Sequence, residues 1–233
     1  MLPRVTRTAL TVLLIATAIT AQAIAGDVAR FANLGFSSDD SVFMFAQYGV
    51  EQETSTPYAE IYTVDVGDNE FVPDGRFSRS SDRTVSAGQD GRGALHSLLH
   101  ETRTIVTEYD IDHSKQGRIV YALLNGDETG DPIEFRDFNT GNRYRAELIQ
   151  EREGSEEDVR ARFHIELMRE TPDDESETYT IGLPEFYRDG VESYRIHQAI
   201  LSPDEESLIF LVEVHRPGAR GTSVRYMVES VRF

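Results

Sequence analysis

Phe36-Ser37-Ser38-Asp39-Asp40-Ser41-Val42-Phe43-Met44-Phe45-Ala46 decides the reading of the fold. A turn rich in serine and aspartate runs into an unbroken apolar stretch, and after a polar loop the chain returns as Glu60-Ile61-Tyr62-Thr63-Val64-Asp65-Val66. A strand apolar on both faces belongs inside a sheet with cover above and below. The far end of the chain repeats the arrangement. Leu201-Ser202-Pro203-Asp204-Glu205 leads into Leu208-Ile209-Phe210-Leu211-Val212, and Arg225-Tyr226-Met227-Val228-Glu229 follows. Aligned without a gap, Ser37 falls on Ser202, Asp39 on Asp204 and Phe45 on Phe210. One turn–strand–loop–strand unit is used twice.

Outward from these units, alternating or short apolar runs predict further strands at 29–36, 118–124, 160–169, 177–183, 194–201, 207–215 and 223–231. Residues 133–138 and 143–150 form a hairpin across Asn139-Thr140-Gly141-Asn142. One helix is expected over 94–109, where Leu95, Leu98, Leu99, Thr102, Ile105, Val106 and Tyr109 fall on one stripe and Asp90 is placed to cap the start. Phe71-Val72 suits a short edge strand. Residues 74–93 carry glycine, serine and arginine without a period and read as a long mobile connection, with Arg76, Arg79, Arg83 and Arg92 placed to line an anion site. The fold class is mainly β: antiparallel sheets with propeller-blade-like repeats at both ends and one packed helix. The two ends are expected to share one sheet, because 42–50 and 208–214 each need neighbours and cover that the more amphipathic middle supplies poorly.

Residues 1–25 read as a secretory signal peptide: Arg4 and Arg7, an apolar run at 9–19 too short to span a bilayer, then Ala21-Gln22-Ala23 and Ala23-Ile24-Ala25 at cleavage spacing. Cleavage after Ala25 leaves 26–233 as one secreted domain, with no transmembrane segment. Cysteine is absent, which excludes disulfides and a lipidated N-terminal cysteine. The formal charge is -18, and two units more negative once Arg4 and Arg7 leave. Nucleic acid and anionic membrane surfaces would be repelled. Lys115 is the only lysine among 23 basic residues. Both an exterior suited to high salt and a coding bias towards arginine fit that usage.

The repeated unit resembles the Phe-Ser-Pro-Asp-Gly blade motif of the β-propellers in TolB and in prolyl oligopeptidases. Leu201-Ser202-Pro203-Asp204 keeps its Ser-Pro-Asp with leucine in place of phenylalanine, Phe36-Ser37-Ser38-Asp39 keeps three of the five positions, and Ile61-Tyr62-Thr63-Val64-Asp65 matches the blade's Ile-Tyr-x-x-Asp strand. Asp40 and Glu205 stand where the motif has glycine, so each turn must tolerate a side chain. The motif occurs twice, whereas a closed propeller needs about four blades or more. The chain also resembles an uncharacterised bacterial family of predicted secreted proteins, a domain of unknown function. The resemblance lies in Ala32-Asn33-Leu34-Gly35-Phe36-Ser37, Gln47-Tyr48-Gly49-Val50 and Pro57-Tyr58-Ala59-Glu60-Ile61. It implies a compartment and a fold, and no site.

Three constellations carry possible chemistry. His96 and His100 share a helix face at a spacing that can hold zinc, but the glutamate of a metalloprotease helix is missing. Asn125 to Asp131 spaces oxygen ligands as a calcium loop does, but its twelfth position is Arg136 and a plain turn explains it. His113, near Asp110 and Asp112, suits a loop hydrogen bond better than a polarised base. No nucleophile elbow, phosphate loop or dinucleotide fingerprint occurs. No catalytic, cofactor-binding or metal residue is assigned. The chain reads as a non-enzymatic secreted or periplasmic binding module for an envelope or extracellular protein or glycan. The alternative is an envelope hydrolase acting on peptide or glycan.

Overall fold

The computed structural model describes residues 26–86, 88–124, 132–155, 158–218 and 221–233. Among them the protein is mainly β, with antiparallel sheets and two helices. The N-terminal sheet holds β1 (Arg30–Ser37), β2 (Val42–Val50), β3 (Pro57–Asp65), β4 (Glu70–Ser80) and β5 (Ile111–Asp112), in the order β4-β3-β2-β1-β5. The central sheet combines β6 (Arg118–Ala122) with β12 (Ser193–Leu201), β13 (Ser207–Arg216) and β14 (Ser223–Arg232), in the order β14-β13-β12-β6. The outer sheet is a meander of β7 (Ile133–Arg136), β8 (Arg143–Glu153), β9 (Arg160–Glu170) and β10 (Ser176–Gly182), with the short β11 (Arg188–Asp189) also on β9.

Side-chain alternation stacks these sheets. On β13, Leu208, Phe210, Val212 and Val214 pack with Phe163, Ile165 and Leu167 of the outer sheet. The intervening Ile209 packs with Phe36, Phe43, Phe45 and Val64 of the N-terminal sheet. On β2, Phe43 and Phe45 face the central sheet, while Val42, Met44 and Ala46 face Leu95, Leu98 and Ile105 of the helices. The layers therefore run helices, N-terminal sheet, central sheet, outer sheet. Strands β2 and β13 are the inner strands their composition predicted. The two ends of the chain do not share a sheet: they meet face to face, and among the described residues Val28 to Val224 is the one main-chain bridge between them. The middle of the chain covers the second face of β13. A strand apolar on both faces needs two layers of cover, and separate sheets supply them as well as one sheet's neighbours.

The repeated turns match atom for atom. Ser37 Oγ donates to Asp39 Oδ1 at 2.7 Å and accepts from Val42 N at 2.9 Å; Ser202 Oγ donates to Asp204 Oδ1 at 2.5 Å and accepts from Ser207 N at 2.9 Å. Asp40 and Glu205, in place of glycine, adopt left-handed φ of 62° and 66°. Their carboxylates are used. Lys115 Nζ lies 2.7 Å from Asp40 Oδ1, and Arg118 Nη2 lies 2.6 Å from Glu205 Oε1. The segment linking the N-terminal and central sheets thus ties down both turns.

Two elements differ from expectation. The predicted helix is two: α1 (Arg92–Leu99) and α2 (Arg103–Glu108). Between them buried Thr102 turns its hydroxyl back onto the Leu99 carbonyl at 3.0 Å, a bond that competes with helix continuation. Asp90 Oδ1 accepts from Arg92 N at 3.1 Å at the start of α1. Residues 74–93 are not one connection, because β4 continues to Ser80 and α1 begins at Arg92. Its register jumps from Val64↔Phe71 to Tyr62↔Arg76, so four residues bulge out and the alternation is lost. Asp74 takes φ 54°, and a Cβ on Gly75 would lie 2.5 Å from the Val72 side chain.

Candidate functional site

Each of the three sheets brings one of its edge strands, β4, β10 or β14, to one cleft of about 940 Å³. Its floor is Met227 to Arg232 of β14. One wall is the Gly67–Asn69 turn with the β4 bulge, and the other is Thr180 to Leu183. Phe71 and Leu183 stand exposed on opposite rims, an apolar mouth over a polar base.

Glu229 forms that base. It is 4% exposed, on a strand otherwise built to pack. Asn69, at left-handed φ 54° in the β3–β4 turn, donates from Nδ2 to Glu229 Oε2 at 2.5 Å, and its Oδ1 accepts from Ser230 N at 2.8 Å. Ser230 Oγ donates to Val66 O at 2.9 Å, so the turn is fastened to the β14 edge. Arg188 Nη2 lies 3.7 Å from Glu229 Oε1, beyond a hydrogen bond. Its guanidinium packs 5.3 Å from the Phe163 ring centroid and 5.1 Å from that of Phe186. Burial pushes the Glu229 carboxyl above the usual carboxylate range, and the Asn69 hydrogen bond and the Arg188 charge only partly oppose it. Arg188 Nη1 is buried with no hydrogen-bond partner among the described residues. At Gly182 (φ 95°) the outer sheet comes close, and a Cβ there would lie 3.4 Å from the Glu229 carboxyl carbon. A perturbed carboxyl beside a partly satisfied arginine, in a cleft with an apolar rim, is the composition of a ligand site.

A second buried carboxylate, Glu213 on β13, is the opposite case. It accepts from His197 Nδ1 at 2.8 Å, His215 Nε2 at 2.9 Å, and Arg195 Nε and Nη2 at 2.9 and 2.7 Å. Burial works against its charge, but these donors outweigh burial and hold the carboxyl well below its usual range. With four donors on two oxygens, Glu213 is a satisfied knot between β12 and β13 with little left to offer a ligand.

The histidines singled out in the sequence lie elsewhere. His96 and His100 are exposed on α1 and at its end, where His100 Nδ1 is 3.4 Å from Arg103 Nη2. His113 Nδ1 bonds the Leu34 carbonyl at 2.6 Å, tying the segment after β5 to β1. No group of three histidine or carboxylate side chains placed to hold a metal occurs among the described residues. The loop at 125–131 lies outside them. Of the arginines at 74–93, Arg79 pairs with Glu101, Arg92 with Asp90, and Arg76 stacks on Phe71. Sequence reasoning missed Glu229, Arg188 and Asn69. The available signal was a lone carboxylate inside an apolar strand, Met227-Val228-Glu229.

Residues 44–232 match the family described as predicted secreted protein (DUF2259). The chain belongs to this family. The match takes in the second repeated strand pair whole, the first from Met44 on, and every residue of the cleft. No curated protein matches the chain. The protein is secreted or periplasmic, in line with the family's description as a predicted secreted protein. No helix among the described residues is long and apolar enough to cross a membrane.

Proposed function

We propose that the protein is a non-enzymatic binding module of the envelope or extracellular space, and that the cleft over β14 receives its ligand. The observation that carries this reading is the convergence of three sheet edges on Glu229, a buried carboxyl beside Arg188. The partner is an envelope or extracellular protein or glycan, and the acidic surface argues against nucleic acid. The two matched turn–strand units serve as blade-like scaffolds of the TolB kind, and residues 1–25 as the removable export signal.

The test is site-specific photo-crosslinking in cells that export the protein. A crosslinking residue at Leu183, on the rim, is expected to capture a partner. The same residue at Phe138, which is 86% exposed and away from the cleft, is expected to capture none. Equal capture at the two positions, or none at Leu183, contradicts the reading.

A second reading, an envelope hydrolase acting on peptide or glycan, is favoured by Glu229 alone. A carboxyl that holds its proton more tightly than usual suits a general acid. Turnover of a peptide and glycan panel that is lost in Glu229→Gln would select this reading over binding.

A further inference from the structure

The ligand class can be narrowed on the reading that the cleft binds. Strand β10 is the outer edge of its sheet, and its hairpin with β9 is closed by Thr171 N to Glu175 O at 2.8 Å. The register then runs without a bulge from Ser176↔Glu170 to Gly182↔His164. Antiparallel pairs alternate between bonded and non-bonded, so Glu177, Tyr179 and Ile181 bond to β9. Thr178, Thr180 and Gly182 therefore turn their amides and carbonyls outward, and Thr180 and Gly182 line the cleft.

The facing edge of β14 is treated differently. Its outward amides at Val224, Tyr226 and Ser230 are taken by Asp27 O, Gln47 Oε1 and Asn69 Oδ1, at 2.8, 2.7 and 2.8 Å. Each blocks a position where a further strand would pair. No described residue bonds the outward main chain of β10 in this way. Residues 176–182, Ser-Glu-Thr-Tyr-Thr-Ile-Gly, hold no proline or lysine, so the usual protections of an edge are reduced to one glutamate. On β14 three of the four outward amides from Val224 to Ser230 are taken and that of Val228 is not, whereas on β10 none is taken by a described residue; the more open edge is the template for one more strand.

We infer that the cleft takes an extended segment of another polypeptide, which adds to the free edge of β10 as a further strand. A polypeptide fits better than a glycan because donors and acceptors recur along the edge at every second residue, roughly 7 Å apart, as in an extended main chain. The apolar rim at Leu183 and Phe71 takes alternate side chains of the guest.

The experiment selects a displayed library of random 12-residue peptides on the intact mature protein. The affinity of a selected peptide is then compared with that of its alternately N-methylated form. N-methylation leaves the protein and the peptide's side chains untouched but removes main-chain donors and puts a methyl group in the pairing direction, so binding is expected to weaken by about tenfold or more. Thr180→Pro deletes one outward amide and no main-chain bond to β9; it also loses the exposed 2.7 Å bond from Thr180 Oγ1 to Glu166 Oε1, which Thr180→Val loses alone. Against Thr180→Val, the proline variant is expected to weaken the unmodified peptide comparably while the protein still melts cooperatively. A library that yields no binder, or an N-methylated peptide that binds as well as its parent, overturns strand addition. If that parent peptide is nevertheless lost in Leu183→Asp, the cleft still binds and only the pairing mode is wrong. If neither change matters, the cleft reading falls as well.

Discussion

Glu213 and Glu229 are buried carboxylates on adjacent strands of one sheet, and their surroundings drive them in opposite directions. Four donors stabilise the Glu213 anion. Its contribution to stability is fully present above the unfolded value near 4.5 and is lost as pH falls below that value towards the depressed folded one. Glu213→Gln should cost about 3 kcal/mol at neutral pH, read by urea denaturation, because Arg195 loses its counter-charge and one of the two accepting oxygens becomes an NH2 donor facing other donors. Glu229 has one hydrogen bond and a distant arginine, and burial raises it. The sign reverses: the folded state is favoured while the group is protonated, and that advantage is lost as pH rises through the raised folded value. Glu229→Gln should therefore leave the melting temperature unchanged or higher at pH 8 and flatten its decline above pH 5. A melting temperature that falls at pH 8 would place a needed charge at Glu229. Each glutamate stands out in the sequence as the one carboxylate of its strand. What could not be read there is which carboxylate finds donors, since His197 and Asn69 reach them from a bulge and from a turn on another sheet.

At the scale of elements, the two Ser-x-Asp turns set the entry to the two innermost strands. Ser202 is 1% exposed and bonds both Asp204 and the Ser207 amide. Ser202→Ala leaves that amide buried without an acceptor, and should destabilise by about 1–3 kcal/mol. Ser37→Ala, at the matching place, should cost a similar amount, and equilibrium unfolding of both variants checks the equivalence. A large loss at one turn and none at the other would contradict it. These turns and the strands after them were legible because serine, aspartate and apolar runs act locally. The break between α1 and α2 was hidden because the apolar stripe continues through Thr102. The second half of β4 was hidden because its bulge shifts the alternation. The cleft was hidden for the same reason, since that bulge is one of its walls.

At the scale of the molecule, a net charge of -18 and a single lysine leave much like-charge repulsion to be screened. The melting temperature should rise between near-zero and molar sodium chloride, and no rise would favour coding bias as the source of the arginine usage. The sequence pointed to a union of the two ends but not to its form, because apolarity on both faces does not say whether the cover is a neighbour in the sheet or a layer above it. The layer is the answer here: β13 packs Phe210 on the outer sheet and Ile209 on the N-terminal sheet, and β14 beside it floors the cleft. The central sheet is thus the element on which the other layers and the site depend. Truncation after Arg216, which removes β14, tests this most directly. The account predicts that the shortened chain loses its cooperative melting transition as a whole. A chain ending at Arg216 that stays soluble and melts as cooperatively as the full protein would contradict it.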